Sequence, residues 1–299
     1  MQSKKNNSGV AYRIVMIERK IKNVSASIKD KLYNIAQKEK IEFNSLLLKY
    51  FQERFLHRLS ISQYKDNFIL KGGLLLVTID IPKSRPTIDV DFLARRIKND
   101  HDEIKKTFLE ICKIQVNDGI DFDSKTIEVG NIMQDTEYVG LRVNVTAYLG
   151  QAKNKLQIGI SFGDIITPKP RIKEFPSILG SDKTILKVYP LETVVAEKYQ
   201  TMIKKEIVNS RMKDFYDVYV ILKENKIDIN ILKKAVSETF KNRQTAIPEN
   251  PYIFYSEFYN DDIKQTQWKA FLRKNKLSGI PENFKDIVFA IKKFLIKIV

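Results

Sequence analysis

The chain is short of the residues from which covalent cross-links and soft metal sites are made: its 299 residues include one cysteine, Cys112, and two histidines, His57 and His101. A single cysteine excludes an intramolecular disulfide, and so small a Cys/His set is too sparse for a zinc site, so any metal is expected on oxygen ligands. Long apolar runs are missing too. No charged start leads into an apolar segment, and no stretch reads as a membrane span, so no membrane association is expected and the cytosol is the expected compartment. Acids are the minority: 36 Asp and Glu against 52 Lys and Arg leave a formal charge of +16. That balance favours polyanionic partners such as RNA, DNA or an acidic protein, although an AT-rich genome also enriches lysine. No repeat, heptad array or low-complexity tract is present. The 43% apolar and 29% charged content is that of a globular protein with a sizeable core.

What is present is concentrated around Arg85-Pro86-Thr87-Ile88-Asp89-Val90-Asp91-Phe92. On a strand, Ile88, Val90 and Phe92 would point into a core while Asp89 and Asp91 project from the opposite face. Alternate residues lie ~6.6 Å apart along a strand, close enough for both carboxylates to hold one Mg²⁺ or a pair. Alternating acids more often sit on a solvated strand face. Upstream, however, Lys71-Gly72-Gly73 opens the apolar run Leu74-Leu75-Leu76-Val77. Glycines at a helix start let backbone N–H groups approach a phosphate. Between the two motifs, Ile81-Pro82-Lys83-Ser84 is expected to turn.

The rest of the chain divides into three parts: a helical segment over 1–66, a mixed α/β core over 67–188 and a helical lobe over 189–299. The first nine residues are polar and expected to fray. Ser25 or Ser27 is expected to cap a first helix, and a second runs from Phe43 to Leu59. Strands are expected at 141–149 and 156–162, joined by a turn at Ala152-Lys153-Asn154-Lys155. Pro190 suits the first turn of a helix from Leu191 to about Lys205. Ser210 is placed to cap another from Arg211 to Glu224. The last helix, with Phe284, Ile287, Val288, Ile291 and Leu295 on one face, is expected to pack against its own domain rather than a membrane.

Lys198 falls on the apolar face of its helix with Leu191, Val195 and Met202. Its stem could snorkel to water, or its ammonium could serve triphosphate oxygens. Arg211, Asp214 and Asp217 follow at three-residue spacing, either as surface ion pairs or as a second cluster in which Asp214 orients Lys198 or a substrate and Arg211 fixes the acids.

Gly-Gly on a helix followed by D-x-D on a strand resembles the DNA polymerase β-like nucleotidyltransferase superfamily. With Phe162-Gly163-Asp164, the segment Tyr189 to Lys198, Ser210 to Asp217 and Gln267-Trp268, the ordered motifs more closely resemble the AbiEii/AbiGii nucleotidyltransferase toxins over about Ser25 to Lys276. The resemblance implies an α+β fold, with a mixed sheet flanked by helices, an N-terminal helical segment and a C-terminal helical lobe. It also implies a toxin of a toxin–antitoxin or abortive phage-defence system that transfers NMP from an NTP to RNA, as some relatives do at the tRNA 3′ end. The alternatives are a catalytically weakened nucleotide- or RNA-binding module, or transfer to a protein or small molecule.

The same resemblance implies Mg²⁺ or Mn²⁺ on Asp89 and Asp91, with Lys198 and Asp214 completing the catalytic set. It puts the nucleotide on Lys71, Gly72, Gly73, Arg85, Thr87, Lys198 and Arg211, and leaves Asp164, Lys213 and Asp217 as accessory candidates. Its expected partner is an AbiEi-type antitoxin. Thr87 matches a hydroxyl that some relatives use as a regulatory phosphorylation site, though a β-branched residue also suits a strand. One position departs: relatives usually carry an acid where this chain has Gly159. Either two acids suffice, with Asp164 or Asp214 helping, or metal binding is weakened.

Overall fold

The computed structural model describes residues 24–79, 85–132, 140–180, 182–224 and 227–298. The expected turn at Ile81–Ser84 and the N-terminal fraying lie outside these residues. Helices α1 (24–39) and α2 (Phe43–Ile61) lead into a seven-stranded mixed sheet. Its strands are β1 (Phe68–Lys71), β2 (Asp89–Ala94), β3 (Ile120–Ile132), β4 (Gly140–Leu149), β5 (Ala152–Ser161), β6 (Arg171–Phe175) and β7 (Thr184–Val188), in spatial order β3-β4-β5-β2-β1-β7-β6. The short helix α3 (Gly72–Leu75) follows β1, and α4 (His101–Cys112) follows β2. The C-terminal helices are α5 (Leu191–Lys205), α6 (Met212–Glu224), α7 (Ile229–Asn242), α8 (Ser256–Tyr259), α9 (Asp262–Lys274) and α10 (Phe284–Leu295). The fold is α+β, as expected.

Helix α2 starts where the Glu42 carboxylate accepts from the N–H groups of Asn44 (3.0 Å) and Ser45 (2.7 Å). It does more than lead in, for Tyr50 to Leu59 are buried without interruption. Its apolar side joins the sheet and α4 through Phe55, Phe68, Phe92 and Phe108, with ring centroids 5.5–5.7 Å apart. Each such buried ring contributes roughly 2–3 kcal/mol. Its buried charges are all partnered. Arg54 Nε and Arg58 Nη1 each donate to Asp118 Oδ2 at 2.7 Å, and Glu53 accepts from Ser177 Oγ and the Ile178 N–H at 2.8 Å.

Val90 and Phe92 are buried on the α2/α4 side of β2, so the period-2 alternation turns Asp89 and Asp91 to the opposite face. Ile88 breaks the expected pattern. It precedes the strand and is 64% exposed, because the sheet hydrogen bonding that would fix its direction begins only at Asp89. The β4–β5 turn also moves. Gly150, with φ +59°, makes it with Gln151, and Ala152–Lys155 are already paired with β4. Ser25 lies within α1, where its hydroxyl donates to the Gly119 carbonyl (2.8 Å). At the start of α6 it is Asn209, not Ser210, whose side chain accepts from the Arg211 N–H at 2.9 Å. Finally α10 buries Phe284, Ile287, Val288, Ile291 and Leu295, and Phe284 stands edge-on to Phe215 of α6 at 5.0 Å.

Candidate active site

A cleft of about 1240 Å³ opens between the acidic face of the sheet and helices α5, α6 and α9. Of the residues singled out from the sequence, Lys71, Gly72, Gly73, Arg85, Thr87, Asp89, Asp91, Lys198, Arg211, Lys213 and Asp214 all line it. Asp164 and Asp217 stand behind its wall and touch lining side chains.

Strand pairing sets the floor. In the antiparallel β1–β2 ladder Lys71 faces Asp91, and in the parallel β2–β5 ladder Asp91 faces Gly159 while Asp89 faces Gln157. The carboxylate of Asp91 therefore sits between two glycines. A Cβ on Gly72 would come within 2.2 Å of Asp91 Oδ2, and one on Gly159 within 2.8 Å of Oδ1. Gly72 also has φ +70°, which side-chain-bearing residues rarely adopt. Gly73 is packed as closely: a Cβ there would meet Thr87 Oγ1 at 3.0 Å and Arg85 Nη2 at 3.1 Å. The two glycines thus make room for the acid and for the strand entering beside it. Thr87 Oγ1 donates to the Asp89 carbonyl at 3.3 Å.

Neither Asp89 nor Asp91 has a hydrogen bond or ion pair to its carboxylate among the described residues. Burial pushes the Asp91 carboxyl above its ordinary range; Lys71 opposes the rise and Asp89 adds to it. Two unpartnered acids that repel each other side by side on the cleft floor fit a hard cation held by oxygen. Among the described residues no group of three or more His, Cys, Asp or Glu comes together. Asp89 and Asp91 are the carboxylates the cleft floor would offer such an ion, with phosphate and water as the further ligands it would need.

Two charge clusters flank the acids. In the first, Lys71 Nζ contacts Asp164 Oδ2 (2.8 Å) and Glu197 Oε2 (2.9 Å), while Arg243 Nη2 contacts Asp164 Oδ1 (2.9 Å) and Glu197 Oε1 (3.2 Å). Four charges of alternating sign thus form a ring tying β1 and the end of β5 to α5 and α7. Burial alone would lower the Lys71 pKa, but Glu197, Tyr189 and Asp164 hold it well above the ordinary value. Burial would likewise raise Asp164, and the two cations reverse this and hold it far below the carboxylate range.

The second cluster mixes α5 with α6. Lys198 Nζ lies 2.7 Å from Asp214 Oδ1 and 2.8 Å from Asp217 Oδ2. Arg85 grips Asp217 with two bonds, 3.0 Å from Nε and 2.9 Å from Nη2, and Arg211 Nε reaches Asp214 Oδ2 at 2.5 Å. Burial would raise the Asp214 carboxyl, yet Lys198 and Arg211 bring it down to about 2. Burial would lower the Lys198 pKa, but Asp214 and Asp217 outweigh it and raise the ammonium above its ordinary value.

Sequence reasoning passed over Glu197 and Arg243. Glu197 adjoins Lys198 on α5, where a 100° step sends one side chain to each cluster. That adjacency was a usable signal. Arg243 lies 79 residues from Asp164, just past the end of α7, and no local pattern announces it.

Residues 54–290 match the family described as "Nucleotidyl transferase AbiEii toxin, Type IV TA system". No curated protein matches the chain. Among solved structures, JHP933 from Helicobacter pylori superposes with a TM-score of 0.52 at 12% identity, over 86% of this chain and 94% of its own. A proposed nucleotidyltransferase from H. pylori gives 0.49 at 14% identity, over 87% and 99%. At such identity the likeness to JHP933 speaks for the fold.

Proposed function

Because the chain belongs to the AbiEii family of nucleotidyltransferase toxins of type IV toxin–antitoxin systems, we propose that it transfers NMP from an NTP to an RNA hydroxyl, with the tRNA 3′ end as acceptor. The carrying observation is the pair Asp89 and Asp91, whose carboxylates have no protein partner among the described residues, in a cleft that Lys and Arg side chains also line. A divalent ion, Mg²⁺ or Mn²⁺, held there would polarise phosphate oxygens and lower the pKa of an attacking hydroxyl.

The chain's own residues do the rest. Asp89 and Asp91 would hold that ion at the floor of the cleft. Lys198, fixed by Asp214 and Asp217, faces the negative charge that grows as the acceptor O–P bond forms and the bond to pyrophosphate breaks. Gly73 packs against Thr87, whose hydroxyl donates to the Asp89 carbonyl, and this contact helps to fix the chain that enters the acid-bearing strand. Lys204, Lys205 and Lys274 at the walls suit a polyanionic acceptor. No helix among the described residues is long and apolar enough to cross a membrane. A cognate AbiEi-type antitoxin is the expected partner, and the cytoplasm the expected compartment.

The test is labelling. With each α-³²P NTP, Mg²⁺ and total RNA, wild type should label a discrete RNA of tRNA size. Label appearing in protein or a small solute instead would overturn the RNA assignment.

A further inference from the structure

Most of the cations that the sequence offers to a nucleotide are already committed. Lys71 and Arg243 are matched one for one by Asp164 and Glu197. Arg85, Lys198 and Arg211 hold Asp214 and Asp217. Lys213 is different. It lines the cleft, it is exposed, and it makes no hydrogen bond or ion pair among the described residues.

Its position follows from the helix. Asp214 and Asp217, three residues apart on α6, turn inward and are buried, and Lys213, one step of about 100° before Asp214, is displayed on the wall. It lines the same cleft as Asp89 and Asp91, and its charge favours the ionised form of Asp91. It is also crowded by like charge. Desolvation by the cleft walls and the nearness of Arg211 lower its pKa, Asp214 opposes, and Arg85 and Lys198 add to the fall. An anion brought into that space would relieve the repulsion.

We propose that Lys213 holds the triphosphate of the NTP from the α6 side of the cleft, while Lys71, despite its place in the glycine motif, spends its charge inside the wall. The proposal rests on the nucleotidyltransferase reading. An ammonium on a flexible stem is a point charge with three rotatable donors, which suits a chain of phosphate oxygens better than a single fixed fork would. Lys274 is the useful contrast, for it lines the same cleft and makes no hydrogen bond or ion pair among the described residues, but it is not one of the charges that act most strongly on Asp91.

The experiment is calorimetric titration of the full chain with inorganic tripolyphosphate in Mg²⁺, and with a non-hydrolysable NTP. Lys213→Gln should weaken both by about ten-fold or more, since a charge-assisted contact to phosphate is lost. Lys213→Arg should recover affinity to within about three-fold, and Lys274→Gln should change it by less than about three-fold. Because Lys213 is exposed, the thermal midpoint of Lys213→Gln should equal that of wild type. If Lys213→Gln binds both probes as wild type does while Asp91→Asn loses them, the nucleotide reading stands and this assignment falls. Loss confined to RNA affinity would overturn it equally, by moving Lys213 to the acceptor. A wild-type chain that binds neither probe would overturn both.

Discussion

Replacing Asp214 by Asn should cost stability by an amount that depends on pH in a defined way. The residue is 1% exposed, and its carboxylate is held by Lys198 at 2.7 Å and Arg211 at 2.5 Å, which bring its pKa from 3.8 down to about 2. At ~1.4 kcal/mol per pKa unit, that drop corresponds to about 2 kcal/mol of stability at neutral pH. The sign follows from the depression. The contribution is fully present above the unfolded value near 3.8 and is lost as pH falls through about 2. Breaking a buried pair typically costs about 3–5 kcal/mol. The lower figure is expected here, because Lys198 keeps Asp217 and Arg211, 43% exposed, can return to water. Urea unfolding followed through Trp268, the chain's single tryptophan and fully buried, reports the difference. Wild type should exceed Asp214→Asn by about 2 kcal/mol at pH 7 and pH 5, and the gap should narrow below pH 4. A gap under about 0.5 kcal/mol at pH 7, or one that persists undiminished at pH 2.5, would refute the ion-pair account.

Other substitutions probe the remaining parts. Arg243→Met leaves Asp164 and Glu197 sharing Lys71 alone, and should lower stability by about 3 kcal/mol by the same urea measurement, with Arg243→Lys recovering part of it. Gly72→Ala places a Cβ within 2.2 Å of Asp91 Oδ2 at a φ of +70°, so thermal melting should show a loss of more than about 1 kcal/mol together with weakened Mg²⁺·NTP binding. Gly159→Ala brings a Cβ within 2.8 Å of Asp91 Oδ1. It should leave the fold intact, because the carboxylate can swing, and weaken Mn²⁺ binding read by electron paramagnetic resonance; unchanged binding would show that Asp91 has slack.

Period-2 and helical patterns placed β2, β4, β5, α2, α5, α6 and α10 in the sequence because each has one buried face and one polar face. Where that contrast failed, so did the reading. Ile88 looked like a core residue by alternation, but sheet pairing begins one residue later. The turn before β5 was displaced because Ala152–Lys155 is polar on an exposed stretch that still pairs with β4. The site was legible to the extent that its residues are close in sequence: Asp89 with Asp91, Gly72 with Gly73, Arg211 with Asp214 and Asp217. The ring of Lys71, Asp164, Glu197 and Arg243 joins four distant segments, and only the folded chain brings it together. The reason for Gly159 was equally hidden. Its register against Asp91 gives that glycine a steric role beside the acid.

If Asp89 and Asp91 hold the metal that nucleotide transfer needs, loss of either carboxylate must stop the transfer. Wild type, Asp89→Ala and Asp91→Ala, each verified as folded by circular dichroism, are incubated with radiolabelled NTPs, Mg²⁺ and total RNA. Labelling of RNA by wild type alone, abolished by either substitution and by EDTA, is the predicted result. Labelling that survives both substitutions would contradict the account.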